Sequence, residues 1–142
     1  MTIEQIFRFL HSWNRWLLIV AAVIALVYFA RGWLTSQPWT KFARTLQTIF
    51  SSLVDLQWLL GLILLISYGS ITGFGIRHYW EHLTVQTIAL VVAHLHVRWR
   101  KKELEDKTRY QRGFLVVIAV LILIFVGIMA LPAGIQWRTV GL

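Results

Sequence analysis

Apolar and polar positions divide the chain into four greasy stretches joined by short polar connectors. The first begins at His11 and runs through Leu17–Ala30 to Arg31-Gly32-Trp33. Read as a helix over about 10–32, it extends ~33 Å, enough for a bilayer core of ~30 Å. Trp13 and Trp16 mark one end and Trp33 and Trp39 the other, as amphipathic aromatics prefer the interface. Gln37-Pro38 breaks the pattern, because proline lacks an amide proton and disfavours helix at the residue before it. The second stretch, about 45–67, carries Gln47, Ser51, Ser52, Asp55 and Gln57 ahead of Leu59–Ile66. Ser51, Ser52, Asp55 and Leu62 fall on one side at helical spacing, which predicts a stripe buried against neighbouring helices.

Tyr68–Tyr79 contains Gly69, Gly73 and Gly75 and reads as an irregular loop. The third stretch, about 79–99, is apolar between Leu83 and Leu95 except for Thr84, Gln86, Thr87 and His94, and ends in Arg98, Arg100, Lys101 and Lys102. A charged connector, Lys101–Arg112, leads to the fourth, about 113–131, which has no ionisable residue. Pro132-Ala133-Gly134 closes it and leaves a short tail with Trp137 and Arg138. Met1–Phe9 is a mildly amphipathic lead without the basic start and small-residue cleavage site of a removable signal, and is expected to stay on the mature protein.

With 58% hydrophobic residues over 142 positions and a mean hydropathy of +0.66, the chain is too apolar for a soluble domain. The predicted fold is all-α: an integral membrane four-transmembrane-helix bundle, one domain over 1–142, multi-pass in its membrane. Absence of cysteine removes disulfides, thiolate zinc sites, iron–sulfur clusters and covalent c-type haem attachment. A net charge of +8 would suggest nucleic acid in a soluble protein, but here the cations gather at span ends, where they meet lipid head groups. Arg31, Lys41, Arg44 and seven cations between Arg98 and Arg112 fall on one side, against Arg8, Arg15, Arg77 and Arg138 on the other. The positive-inside rule then puts the ten on the cytoplasmic face and both termini outside it.

Depth sorts the histidines. His11, His78 and His82 lie near the outer interface, His94 and His96 near the inner one. Fourteen positions separate His82 from His96, which on one continuous helix returns them to within roughly 40° of the same face and ~21 Å apart. That spacing suits a helix giving one axial ligand to each of two haem layers. His11, at the start of the first span, is a partner for His82; the inner layer has none. Axial imidazoles come from facing helices, and the porphyrin needs apolar walls with cations near its propionates, for which Arg15 is placed one turn beyond His11. Glu81, Ser12 or a backbone carbonyl would accept from the second imidazole nitrogen. The plainer reading of all five is interfacial histidines bonded to water, head groups or Glu81.

Leu10-His11-Ser12 with Arg15-Trp16-Leu17-Leu18, Gln57 with Leu59-Leu60-Gly61-Leu62, and Trp80-Glu81-His82 with Ala93-His94 together resemble a family of small four-helix bacterial membrane proteins labelled cytochrome b-like. The resemblance covers nearly the whole chain and implies haem b and a place in membrane electron transfer. His11, His82 and His94 fall on its motif positions; His78 and His96 do not. The doubled Ala93-His94-Leu95-His96 departs from its pattern.

Asp55 is the other costly group. A carboxylate within a span costs ~2.5–3.5 kcal/mol on insertion scales, so it must face protein, be protonated or be paired. It is read either as a proton- or quinone-linked site or as a polar contact with Ser51, Gln57 or a partner subunit. No nucleophile with its base, phosphate loop or paired carboxylates is present, which leaves little room for a self-contained enzyme. Three readings remain: an electron-transfer protein or subunit with one b-type haem near the outer face, a haem-free accessory subunit of a larger respiratory or photosynthetic complex, and a small carrier or channel. The absence of charge across the membrane centre beyond Asp55 counts against transport.

Overall fold

The computed structural model describes residues 1–140 and is built of four helices and one additional helical turn. They are α1 (Ile3–Leu34), α2 (Lys41–Thr72), α3 (Arg77–Ala93), the turn α4 (His96–Trp99) and α5 (Asp106–Met129). No strand occurs among the described residues. Three of the helices, α1, α2 and α5, are long and apolar enough to cross a membrane. α1 packs on α2 and α5, and α3 packs on the same two, so α1 and α3 stand diagonally across the bundle.

Helix ends differ from the apolar pattern for local reasons. α1 starts well before His11 because Thr2 accepts from the Gln5 amide while the Gln5 side chain accepts from the Thr2 amide, a closed capping box. Met1–Phe9 is therefore mostly helix. α2 continues through Tyr68 and Gly69 to Thr72 and ends only where Gly73 takes a positive φ of 83°. The expected loop over Tyr68–Tyr79 shrinks to residues 73–76, since α3 begins at Arg77. The larger departure lies at the other end of α3. After Ala93 the amides of His94 and Leu95 bond back only three residues, to Val91 and Val92, and regular helix stops. One straight helix over 79–99 does not form, and His96 leaves the face that carries His82.

Buried positions on α1 include Leu18, Ala22, Ala25, Phe29 and Gly32; on α5 they include Tyr110, Gly113, Val117, Val120, Ile124 and Gly127. Both runs step by three or four, a single stripe facing the core. Alanines and glycines in them let the backbones approach, as expected where lipid offers no hydrophobic drive between helices. Tyr110 shows how tight this is: an added Cβ on Gly32 would lie 2.5 Å from its ring, and its hydroxyl donates to the Pro38 carbonyl at 2.9 Å. Phe29, Trp39 and Tyr110 cluster around that point, Phe29 stacked on Trp39 and Trp39 edge-on to Tyr110 with centroids 4.9 Å apart. The outward faces carry Leu17, Val20, Val23, Ile24 and Val27 on α1, and Leu115, Ile122, Phe125 and Val126 on α5. A surface of that kind is a lipid contact.

On α2 the buried stripe is Ala43, Leu46, Phe50, Ser51, Val54 and Leu60. Ser52 is exposed and Asp55 half-exposed, so of the predicted polar stripe only Ser51 is buried. The helix is rotated to present its larger apolar residues to the core.

Candidate functional site

At the end opposite the aromatic cluster the four helices enclose a cavity of about 390 Å³. His11 and Arg15 enter it from α1, Gln57 and Gly61 from α2, and His82 from α3, with Ile124 and Ile128 of α5 on the far wall. Most of the lining surface is apolar, which matches the size and character of a small-molecule or cofactor site. The diagonal placement of α1 and α3 brings the two imidazoles into one chamber.

His82 is held by a backbone group. Its Nδ1 lies 2.7 Å from the Gly127 carbonyl, so Nδ1–H donates there and Nε2 keeps its lone pair. Gly127 sits in the last turn of α5, where carbonyls have no helical donor, and the histidine satisfies one of them. The absent side chain matters, because a Cβ there would run into the Gln86 amide nitrogen. His11 is positioned by a polar relay. Asn14 Nδ2 donates to the Leu53 carbonyl at 3.1 Å and to Gln57 Oε1 at 2.9 Å, while Gln57 Nε2 lies 3.3 and 3.2 Å from the two His11 ring nitrogens. That near-equal approach fixes the ring's place without committing one nitrogen. Gly61 leaves room for it: a Cβ there would stand 3.2 Å from His11 Cε1.

Three cations frame the cavity. Arg8 pairs with Glu4 at 2.9 Å and lies over the Tyr68 ring, and its Nε is buried with no protein partner. Arg15 donates through Nη2 to the Arg138 carbonyl at 3.0 Å and is flanked by the rings of Trp16 and Trp137; its Nε is likewise buried and unpartnered. Arg138 comes from the tail, which folds back over α1. Trp13 Nε1 donates to the Val140 carbonyl at 3.2 Å, Trp16 Nε1 to Thr139 Oγ1 at 2.9 Å, and the Val140 amide to Ser12 Oγ at 3.2 Å. Ile135, Arg138 and Val140 thereby become part of the wall.

The remaining predicted residues lie elsewhere. Glu81 is paired with Arg77 on the surface, so the acceptor for His82 is a backbone carbonyl and not Glu81 or Ser12. Ser12 Oγ donates to the Phe9 carbonyl. His78 packs edge-on against Tyr79 and does not line the cavity. His94 Nε2 meets Asp55 Oδ1 at 2.6 Å on a half-exposed face between α2 and the end of α3, a partner not among those expected for Asp55. His96 is buried, donates from Nδ1 to the Ala93 carbonyl at 3.0 Å, and adjoins a depression of only about 10 Å³.

Sequence reasoning missed Gly127, Arg8, Arg138 and the tail. Arg8 had a signal, since it lies one turn before His11; the others had none, because their roles arise from chain segments more than forty residues away.

Two imidazoles in one chamber fit a metal that brings its own equatorial ligands. A bare ion would need more: among the described residues no group of three or more His, Cys, Asp or Glu is placed to hold one. His11, His82, the apolar walls and the arginines that line the chamber are the residues that could hold an iron porphyrin with acidic side chains. No family model, curated protein or solved structure matches the chain.

Proposed function

We propose that the cavity holds one b-type haem with His11 and His82 as axial ligands, and that the chain serves membrane electron transfer as a small protein or as a subunit of a larger complex. The observation that carries this reading is the convergence of imidazoles from diagonal helices on one aliphatic chamber framed by Arg8, Arg15 and Arg138. Haem would supply one-electron chemistry there. The Gly127 carbonyl orients His82 and raises its basicity, as outer partners of ligating histidines do. The Asn14–Gln57 relay sets His11, the arginines offer their free N–H groups to propionates, and the folded-back tail restricts water.

In this reading the chain crosses a bacterial inner membrane four times, with both termini outside the cytoplasm and the cation-rich end inside. α3, 17 residues and ~25 Å long, is the short fourth span, extended by the turn at α4. Electron-transfer subunits are its expected neighbours, and a quinone its expected small redox partner. Asp55, now paired with His94, is the group through which a proton or quinone linkage would run.

A reduced-minus-oxidised spectrum of the purified chain tests the proposal. A low-spin b-type signal is expected, lost in His11→Ala and in His82→Ala. Wild-type signal in both variants overturns the ligand assignment, and an unmutated chain that takes up no haem leaves the haem-free accessory subunit as the reading.

A further inference from the structure

The tail beyond α5 is held in two different ways. Gln136 Nε2 donates to the Leu131 carbonyl at 2.7 Å, which ties its first half to the end of the helix. From Trp137 to Val140 no backbone–backbone hydrogen bond forms among the described residues. Four hydrogen bonds with side chains of α1 hold that piece instead: Ser12, Trp13, Arg15 and Trp16 each make one with Arg138, Thr139 or Val140. All four side chains lie in the five residues that follow His11.

Trp137 sits where the tied half meets the free half, with a φ of 56°. A bulky residue rarely adopts that left-handed backbone, because Cβ crowds the following carbonyl. Packing holds it there: the indole stands 6.2 Å from the rings of Trp16 and Phe125, and the Arg15 guanidinium lies 5.6 Å from its centroid. The closed position therefore sets side-chain fastenings against backbone strain, and strain of this kind collects at ligand clamps and switch segments. Arg138 and Val140 line the chamber, and so do Ser12 and Arg15 on the other side of the fastening. Release of residues 137–140 thus removes part of the wall and frees the Arg15 guanidinium together. We propose that residues 137–140 are a strap that swings on Trp137 and lets small molecules pass between the chamber and the outside. The strap acts on whatever occupies the chamber and does not depend on haem.

The chain has no cysteine, so one introduced thiol is the only target for a thiol reagent. Ile128→Cys places it on the chamber wall at a position 3% exposed; Val117→Cys, 2% exposed and outside the lining, is the control. The purified full chain in nanodiscs is treated with sulfonatoethyl methanethiosulfonate, a charged reagent that stays in water, and labelling is followed by mass spectrometry. With the strap fastened both thiols should react slowly. Trp13→Phe removes one fastening and S12A/W16F removes two, and labelling of the Ile128→Cys chain should rise about fivefold for each bond lost, with the control unchanged. Trp13→Phe alone carries the test should the double variant lose its helical circular dichroism. An Ile128→Cys rate that is the same with and without the fastenings would show that the chamber opens elsewhere and overturn the strap. A parallel rise in the Val117→Cys control would mean general loosening and overturn it as well. None of these readouts uses haem, so failure of the haem reading leaves them unaffected.

Discussion

At the cation-rich end the helices close on Phe29, Trp39 and Tyr110 with no space for an added methyl at Gly32, whereas at the other end they part around His11, His82 and about 390 Å³ of cavity. One end has three histidines, the other two, and both carry several arginines, so residue type does not separate them. Backbone geometry does. α3 remains regular past His82 and aims it across the bundle, but it breaks at His94, and the two histidines beyond the break stack on each other with centroids 6.1 Å apart. One end spends its side chains on packing, the other leaves polar atoms of Arg8, Asn14 and Arg15 buried without protein partners. Buried unsatisfied groups cost about 1–3 kcal/mol each. The two ends divide stability from site.

The sharpest way to break this contrast is to exchange one histidine at each end. His82→Ala is expected to abolish the low-spin haem spectrum, and His96→Ala to leave it at wild-type strength. If loss of His96 removes the signal, the site lies at the wrong end.

Next in size is a pair of glycine substitutions. Gly32→Ala drives a methyl into the buried Tyr110 ring, which its hydroxyl bond to Pro38 keeps from swinging away. A loss of about 1–3 kcal/mol, typical of an overpacked core, should appear as a lower unfolding midpoint with the haem spectrum unchanged. Gly61→Ala asks His11 to yield only a few tenths of an ångström, and should shift the spectrum while costing little stability. The opposite assignment of effects would dissolve the distinction between a packing end and a binding end.

Asp55 comes third. Its contact with His94 is short, but both side chains are 40–47% exposed on the bundle surface. Asp55→Asn keeps an acceptor for His94, so assembly and spectrum should persist with a loss below about 1 kcal/mol, as for an exposed pair. A loss of several kcal/mol would show that another subunit covers the pair in the membrane, since breaking a buried pair is far costlier.

These expectations rest on unequal parts of the sequence. Helical periodicity and apolar length identify α1, α2 and α5 because each pattern depends only on neighbours three or four residues apart. His11 and His82 are legible as candidates from their matching depth at the starts of two spans. The groups that orient them are not, since a carbonyl at Gly127 and a tail at Arg138 enter through tertiary contacts that leave no local mark. The break at His94 is also invisible. Ala93-His94-Leu95-His96 contains no proline or glycine and reads as unbroken helix, so the two-layer spacing of His82 and His96 does not hold once α3 ends at Ala93.

The smallest expected effect concerns His96 itself. Its imidazole is buried, donates from Nδ1 to the Ala93 carbonyl at 3.0 Å and stacks on His94 with centroids 6.1 Å apart. His96→Gln keeps a side-chain donor near that carbonyl but loses the ring. The unfolding midpoint should therefore fall by the equivalent of about 0.5–1.5 kcal/mol, the worth of one hydrogen bond, with the spectrum unchanged. A loss of several kcal/mol together with a changed spectrum would mean that the break after Ala93 is held by His96 and that the two ends are coupled.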